Sequence, residues 1–89
     1  MELLITELSK DKFEITVKAD QLTKHIVSVT DQMLLKLTNN KTSKEELLNF
    51  SFNFFLEREP NTSILSKFDI TVISKYFPEY ISKVENYCK

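Results

Sequence analysis

His25 and Cys88 are the two side chains of this sequence best suited to nucleophilic or metal chemistry, and there is one of each. A Cys–His pair works when the imidazole is held within hydrogen-bond reach of the thiol. Cys88 stands one residue before Lys89, and chain ends are poorly suited to holding a nucleophile in place. His25 therefore reads as an ordinary surface or partly buried histidine, with a pH-sensing or catalytic histidine as the alternative. Zinc and iron–sulfur sites need three or four Cys and His ligands. Phosphate cradles need glycine so that the backbone can approach the ligand, and the chain has no glycine. No cofactor and no metal are expected.

Carboxylate and arginine chemistry is the remaining route to an enzyme. Glu57 and Glu59 flank Arg58, and Asp69 and Glu79-Tyr80 follow. General acid–base work would require these groups to converge on one cleft. Their spacing is that of solvated charges, and an ordinary ion pair accounts for Arg58.

The elements that must position these side chains belong to a small chain. It has 89 residues, 42% hydrophobic and 28% charged, with seven Phe and three Tyr. That composition predicts one folded domain, 1–89, rather than a disordered chain. The formal net charge of −1 and the scattered lysines supply no global field for nucleic acid or anionic membrane. No apolar stretch approaches the length of a membrane span. The N-terminal residues lack the features of a secretion signal, and the lone cysteine allows no internal disulfide. A soluble cytoplasmic protein is expected.

Residues 2–8 read as a strand, and residues 13–19 alternate apolar and polar side chains, which predicts a second, half-buried one. Ser9-Lys10-Asp11-Lys12 predicts a four-residue hairpin loop on a type I turn, which needs no glycine. A third strand is expected over His25–Thr30, with Val27 and Val29 on one face and Ile26 and Ser28 on the other. Asp31 is the expected cap of a short helix through Leu37, ended by Asn39-Asn40, since Asn tolerates the left-handed region. Thr42-Ser43-Lys44-Glu45 reads as a capping box that opens a helix to about Arg58, before Pro60.

On that helix Glu46, Asn49, Asn53 and Glu57 form a narrow polar stripe, and Leu and Phe fill most of the remaining surface. An arc wider than the single apolar face of a surface helix predicts either a central core helix or one partly covered by a partner. In the second case the partner interface would include Phe50, Phe52 and Leu56. Thr62–Phe68 reads as a turn or short helix. Asp69 is expected to cap a helix through Tyr76, and Pro78 to open a last one carrying Tyr80, Ile81, Val84 and Tyr87. The fold class is α+β: an N-terminal antiparallel sheet of two or three strands, a short helix, a long central helix and C-terminal helices.

The succession His25–Thr30, Asp31–Leu37, Thr42–Arg58 resembles the ribbon-helix-helix family. The resemblance implies a dimer paired through the strand and DNA contacts from Lys24, Ile26 and Ser28, or else His25. Ile26 and Ser28 differ from the Arg, Lys, Asn and Gln that usually read base edges. Separately, Glu57-Arg58-Glu59-Pro60-Asn61-Thr62-Ser63-Ile64-Leu65, followed by Phe68-Asp69, Val72-Ile73 and Tyr76-Phe77-Pro78-Glu79-Tyr80, resembles a family of small uncharacterised bacterial proteins. That resemblance covers the C-terminal half and implies a bacterial cytoplasmic protein without implying a mechanism.

The leading expectation is a non-enzymatic protein-interaction or oligomerisation module, a homodimer or an adaptor with a protein partner. A ribbon-helix-helix-like DNA-binding regulator or antitoxin is the alternative. An enzyme built on Glu57, Arg58, Asp69 and Glu79-Tyr80 comes third.

Overall fold

A computed structural model gives the structure of the protein and describes residues 2–88. The fold is α+β. Strands β1 (Glu2–Ser9), β2 (Lys12–Lys18) and β3 (Leu22–Ser28) are followed by helices α1 (Asp31–Thr38) and α2 (Lys44–Leu56). A single 3-10 turn (Asn61–Ser63), strand β4 (Lys67–Asp69) and helices α3 (Val72–Tyr76) and α4 (Tyr80–Tyr87) complete it. The sheet has the order β1-β2-β3-β4; the first three strands are antiparallel and β4 runs parallel to β3.

The period-two pattern sets the two faces of the sheet. Phe13, Ile15, Val17, His25 and Val27 are buried on the helix side, with Leu3 and Ile5 partly buried beside them. Leu4, Thr6, Glu14, Thr16, Lys24 and Ile26 lie on the opposite face, where every strand position is exposed or only partly buried. The layout is one sheet covered by helices on one side.

Several local expectations shift. The hairpin loop is two residues, Lys10-Asp11, because Ser9 pairs with Lys12, and the register slips between Glu7 and Ser9. Neither turn residue has a positive φ, so the connection is not one of the primed turns. The bulge takes up the twist mismatch instead. Strand β3 begins at Leu22 and ends at Ser28, not His25–Thr30. Thr30, rather than Asp31, caps α1 by accepting from the Met33 N–H, and Asp31 is the first helical residue. Asn39 and Asn40, at φ 55° and 60°, end that helix as expected.

The capping box lies one residue later than expected. Ser43 Oγ accepts from the Glu46 N–H at 3.1 Å, and the Glu46 carboxylate accepts from both Ser43 Oγ and Thr42 Oγ1. Helix α2 ends at Leu56, not Arg58. Residues 62–68 contain a strand rather than only a turn, with Phe68 beside Val27 across the β3–β4 pair.

Helix α2 is the central core helix. Leu47, Leu48, Phe52, Phe54 and Phe55 are buried against the sheet and the C-terminal helices. Phe52 is 0% exposed, so it offers no surface to a partner. Phe50 is stacked under Tyr87 of α4 at 4.6 Å, and Leu56 is partly buried in the same core. Of the three residues expected at a partner interface, Phe52 is taken up in the core, while Phe50 and Leu56 pack against it and keep part of their surface exposed.

Candidate functional site

Each polar side chain singled out in the sequence has a definite environment. His25 is 2% exposed, a buried residue rather than a surface one. Its Nδ1 lies 2.8 Å from the Leu65 carbonyl and its Nε2 2.9 Å from Thr23 Oγ1. A carbonyl can only accept, so Nδ1 carries the proton and Nε2 accepts from the Thr23 hydroxyl. Asn61 Nδ2 donates to Thr23 Oγ1 at 2.9 Å and to the Gln21 carbonyl at 2.8 Å. This directed chain of hydrogen bonds pins the 61–65 segment to β3. Both ring nitrogens are used, so His25 forms no couple with Cys88, and Nε2 is not available to a substrate.

The carboxylate and arginine group is only partly assembled. Arg58 Nε lies 3.5 Å from Glu79 Oε2, and Nη1 lies 3.7 Å from Glu57 Oε2 and donates to the Phe54 carbonyl at 2.9 Å. The guanidinium also sits over the Phe54 ring, 3.7 Å from its centroid, a cation–π contact. Arg58 thus satisfies a carbonyl at the end of α2 and ties it to the start of α4. Asp69 is not part of this group; it accepts from the Thr71 N–H at 3.0 Å and from the Thr71 hydroxyl. Tyr80 is fully buried and its hydroxyl lies 2.6 Å from Ser51 Oγ. Burial pushes its phenol up to about 12, partly opposed by the Ser51 hydrogen bond. The five residues do not converge on one cleft. Ser51 and Asn61, both buried polar partners in these networks, have no local sequence signal.

A second charge cluster joins the β1–β2 turn to the starts of α1 and α2. Lys44 Nζ lies 2.8 Å from Asp31 Oδ1, 3.1 Å from Asp11 Oδ1 and 3.0 Å from the Lys10 carbonyl, and Lys10 Nζ lies 2.9 Å from Asp31 Oδ2. Hydrogen bonds from Lys44 and Lys10 hold the Asp31 carboxyl down to about 2. The same contacts raise both lysines. Two lysines and two aspartates balance one another, so the cluster is a fastener rather than a binding site.

The ribbon-helix-helix resemblance implies pairing between subunits at β3. That strand has β2 on one edge and β4 on the other over Ile26–Ser28, which closes those residues to strand pairing between subunits. His25 faces the core; Lys24 and Ser28 face out, and across the strands Ser28 pairs with Lys12 and Asp69.

The surface feature with capacity for binding is the outer edge of β1. In an antiparallel ladder, alternate residues direct their N–H and C=O groups to opposite edges. Ile26 N–H donates to the Ser66 carbonyl and the Ser28 carbonyl accepts from Ile70, so even residues of β3 face β4 and odd ones face β2. Carried through the registers, Leu4 and Thr6 bond to β2, while Leu3, Ile5 and Glu7 aim their backbone groups outward. No strand lies beyond β1 among the described residues. Glu2–Thr6 contains no Pro and no Lys, and Leu4 is 43% exposed. Natural edge strands are commonly protected by such residues.

A separate cleft of about 240 Å³ lies between the end of α2 and α3, with Phe55, Phe68 and Phe77 among its walls and Glu59, Leu65 and Tyr76 at its rim. Among the described residues, no group of three His, Cys, Asp or Glu side chains is placed to hold a metal ion, and no helix is long and apolar enough to cross a membrane. Comparison with protein families, with curated proteins and with solved structures returns no match.

Proposed function

We propose that the protein is a non-enzymatic oligomerisation module that pairs with a second copy of itself through β1. The observation that carries this reading is the outward-facing backbone of Leu3 and Ile5 on an edge strand whose Leu4 is exposed and whose Glu2–Thr6 segment lacks Pro and Lys. An unpaired row of N–H and C=O groups is a template for another strand.

The strand is also self-complementary. An antiparallel pairing centred on Leu4 sets Leu3 opposite Ile5 of the second copy, Leu4 opposite Leu4, and Glu2 opposite Thr6. It uses only the regular part of the ladder, before the irregularity between Glu7 and Ser9. A centre at Ile5 would set Glu7 against Leu3. In the Leu4-centred pairing the two-fold axis stands perpendicular to the sheet, both sets of helices lie on one side, and the half-buried Leu3 and Ile5 complete their burial. Two facing leucines in a non-hydrogen-bonded pair have close side chains, a favourable arrangement.

Sedimentation equilibrium tests this reading. The wild-type chain is expected to be dimeric at micromolar concentration. Leu4→Lys, which would set two like charges opposite each other, is expected to be a folded monomer. Leu22→Lys, an exposed apolar residue on the far strand of the same face, is expected to remain dimeric. A wild-type monomer at 100-fold higher concentration would refute the proposal.

A further inference from the structure

We infer that the cleft between α2 and α3 is a binding site for a small organic cation with a single-ring apolar body, an arylalkylammonium. The inference is independent of β1 pairing. Three aromatic rings form the interior: Phe55 packs edge-on against both Phe68 and Phe77, with ring centroids 5.9 Å apart in each case. Tyr76 stands at the rim and is 65% exposed. It is the most exposed of the large hydrophobic side chains, placed where it can close over an occupant.

The volume sets the size of the occupant. About 240 Å³ falls below the ~300–1,000 Å³ typical of sites for drug-sized ligands and cofactors, so one ring with a short chain is accommodated and a nucleotide is not. The charge sets its sign. Glu59 is the only charged side chain of the cleft wall and takes part in no ion pair among the described residues. The neighbouring cation, Arg58, is turned to Glu57, Glu79 and the Phe54 ring. Glu59 also borders a second, shallower hollow that includes Lys18, but Lys18 is paired with Glu2. Aromatic faces carry partial negative charge, so rings and carboxylate together favour a cation and disfavour an anion.

The test is an NMR titration of the full chain with phenethylammonium, with neutral 2-phenylethanol and with 3-phenylpropionate. Amide shifts are expected at Phe55, Glu59, Phe68 and Tyr76, with the ammonium compound binding tightest and the carboxylate weakest. Glu59→Gln, an exposed substitution that leaves the core untouched, is expected to weaken the ammonium about fivefold and to leave the alcohol unchanged. Tyr76→Ala is expected to weaken all three. Equal binding of carboxylate and ammonium, an unchanged Glu59→Gln titration, shifts confined to another surface, or no shift at millimolar ligand would each overturn the assignment.

Discussion

The Tyr80 hydroxyl donates to Ser51 Oγ across the interior at 2.6 Å, while Ser51 Oγ itself donates to the Leu47 carbonyl one turn back in α2 at 2.7 Å. This relay joins the last helix to the central one in a region closed to water. A mid-helix serine bonded to its own backbone gains little for the helix; here its oxygen serves as the acceptor for a buried phenol. Tyr80→Phe removes the donor and keeps the packing, so it should lower stability by about 1 kcal/mol, read from urea unfolding at neutral pH.

The burial of the same phenol predicts an alkaline transition. The folded-state phenol, at about 12, titrates above the ordinary tyrosine value of 10.0. The folded state therefore holds its proton more tightly, and the contribution is complete below pH 10 and declines as pH rises toward 12. Its size is about 2–3 kcal/mol. Urea midpoints measured between pH 9 and 12 should fall more steeply for the wild type than for Tyr80→Phe.

The Lys44–Asp31 contact predicts behaviour at the other end of the scale. The Asp31 carboxyl is lowered from 3.8 to about 2, so its contribution is present above pH 3.8 and is lost as pH falls through 2. Asp31 is solvent-exposed, and salt will screen the interaction. Asp31→Asn should unfold at lower urea than the wild type at pH 6, and the two should converge near pH 2. Equal midpoints at pH 6 in low salt would show that the cluster is not a fastener.

His25 should behave as a structural residue. Its removal takes the donor from the Leu65 carbonyl and the acceptor from the Thr23 O–H, and opens a space beside Phe52, whose ring lies 5.4 Å away. His25→Ala should cost about 2–4 kcal/mol, and Asn61→Ala about 1–2 kcal/mol, by chemical denaturation. Near-neutral effects would place the 61–65 segment outside the cooperative fold.

Much of the local structure is legible in the residues. The β1–β2 hairpin follows from alternation, the end of α1 from Asn39-Asn40, and α2 from its cap and apolar positions. The cap slipped by one because Thr42-x-x-Glu45 and Ser43-x-x-Glu46 overlap, and only the second coincides with the first helical turn. Strand β3 begins three residues before the expected His25 because the polar Thr23 takes a core-facing position while Leu22 faces out, which masks the period there. Strand β4 has three residues and exists through its parallel pairing with β3, an interaction from about forty positions away that no local pattern encodes. The outward edge of β1 and the cleft around Phe55 likewise arise from topology, since each depends on what the rest of the chain does or does not place beside it.

Amide hydrogen exchange resolved by NMR tests the central claim most directly, because Leu3 and Ile5 direct their N–H groups to the open edge while Leu4 and Thr6 direct theirs to β2. If β1 pairs with a second copy, the Leu3 and Ile5 amides are protected to the same degree as those of Leu4 and Thr6, and this protection disappears on dilution and in Leu4→Lys. If Leu3 and Ile5 exchange at unprotected rates at millimolar protein while Leu4 and Thr6 remain protected, β1 is a solvent-facing edge and the oligomerisation account is wrong.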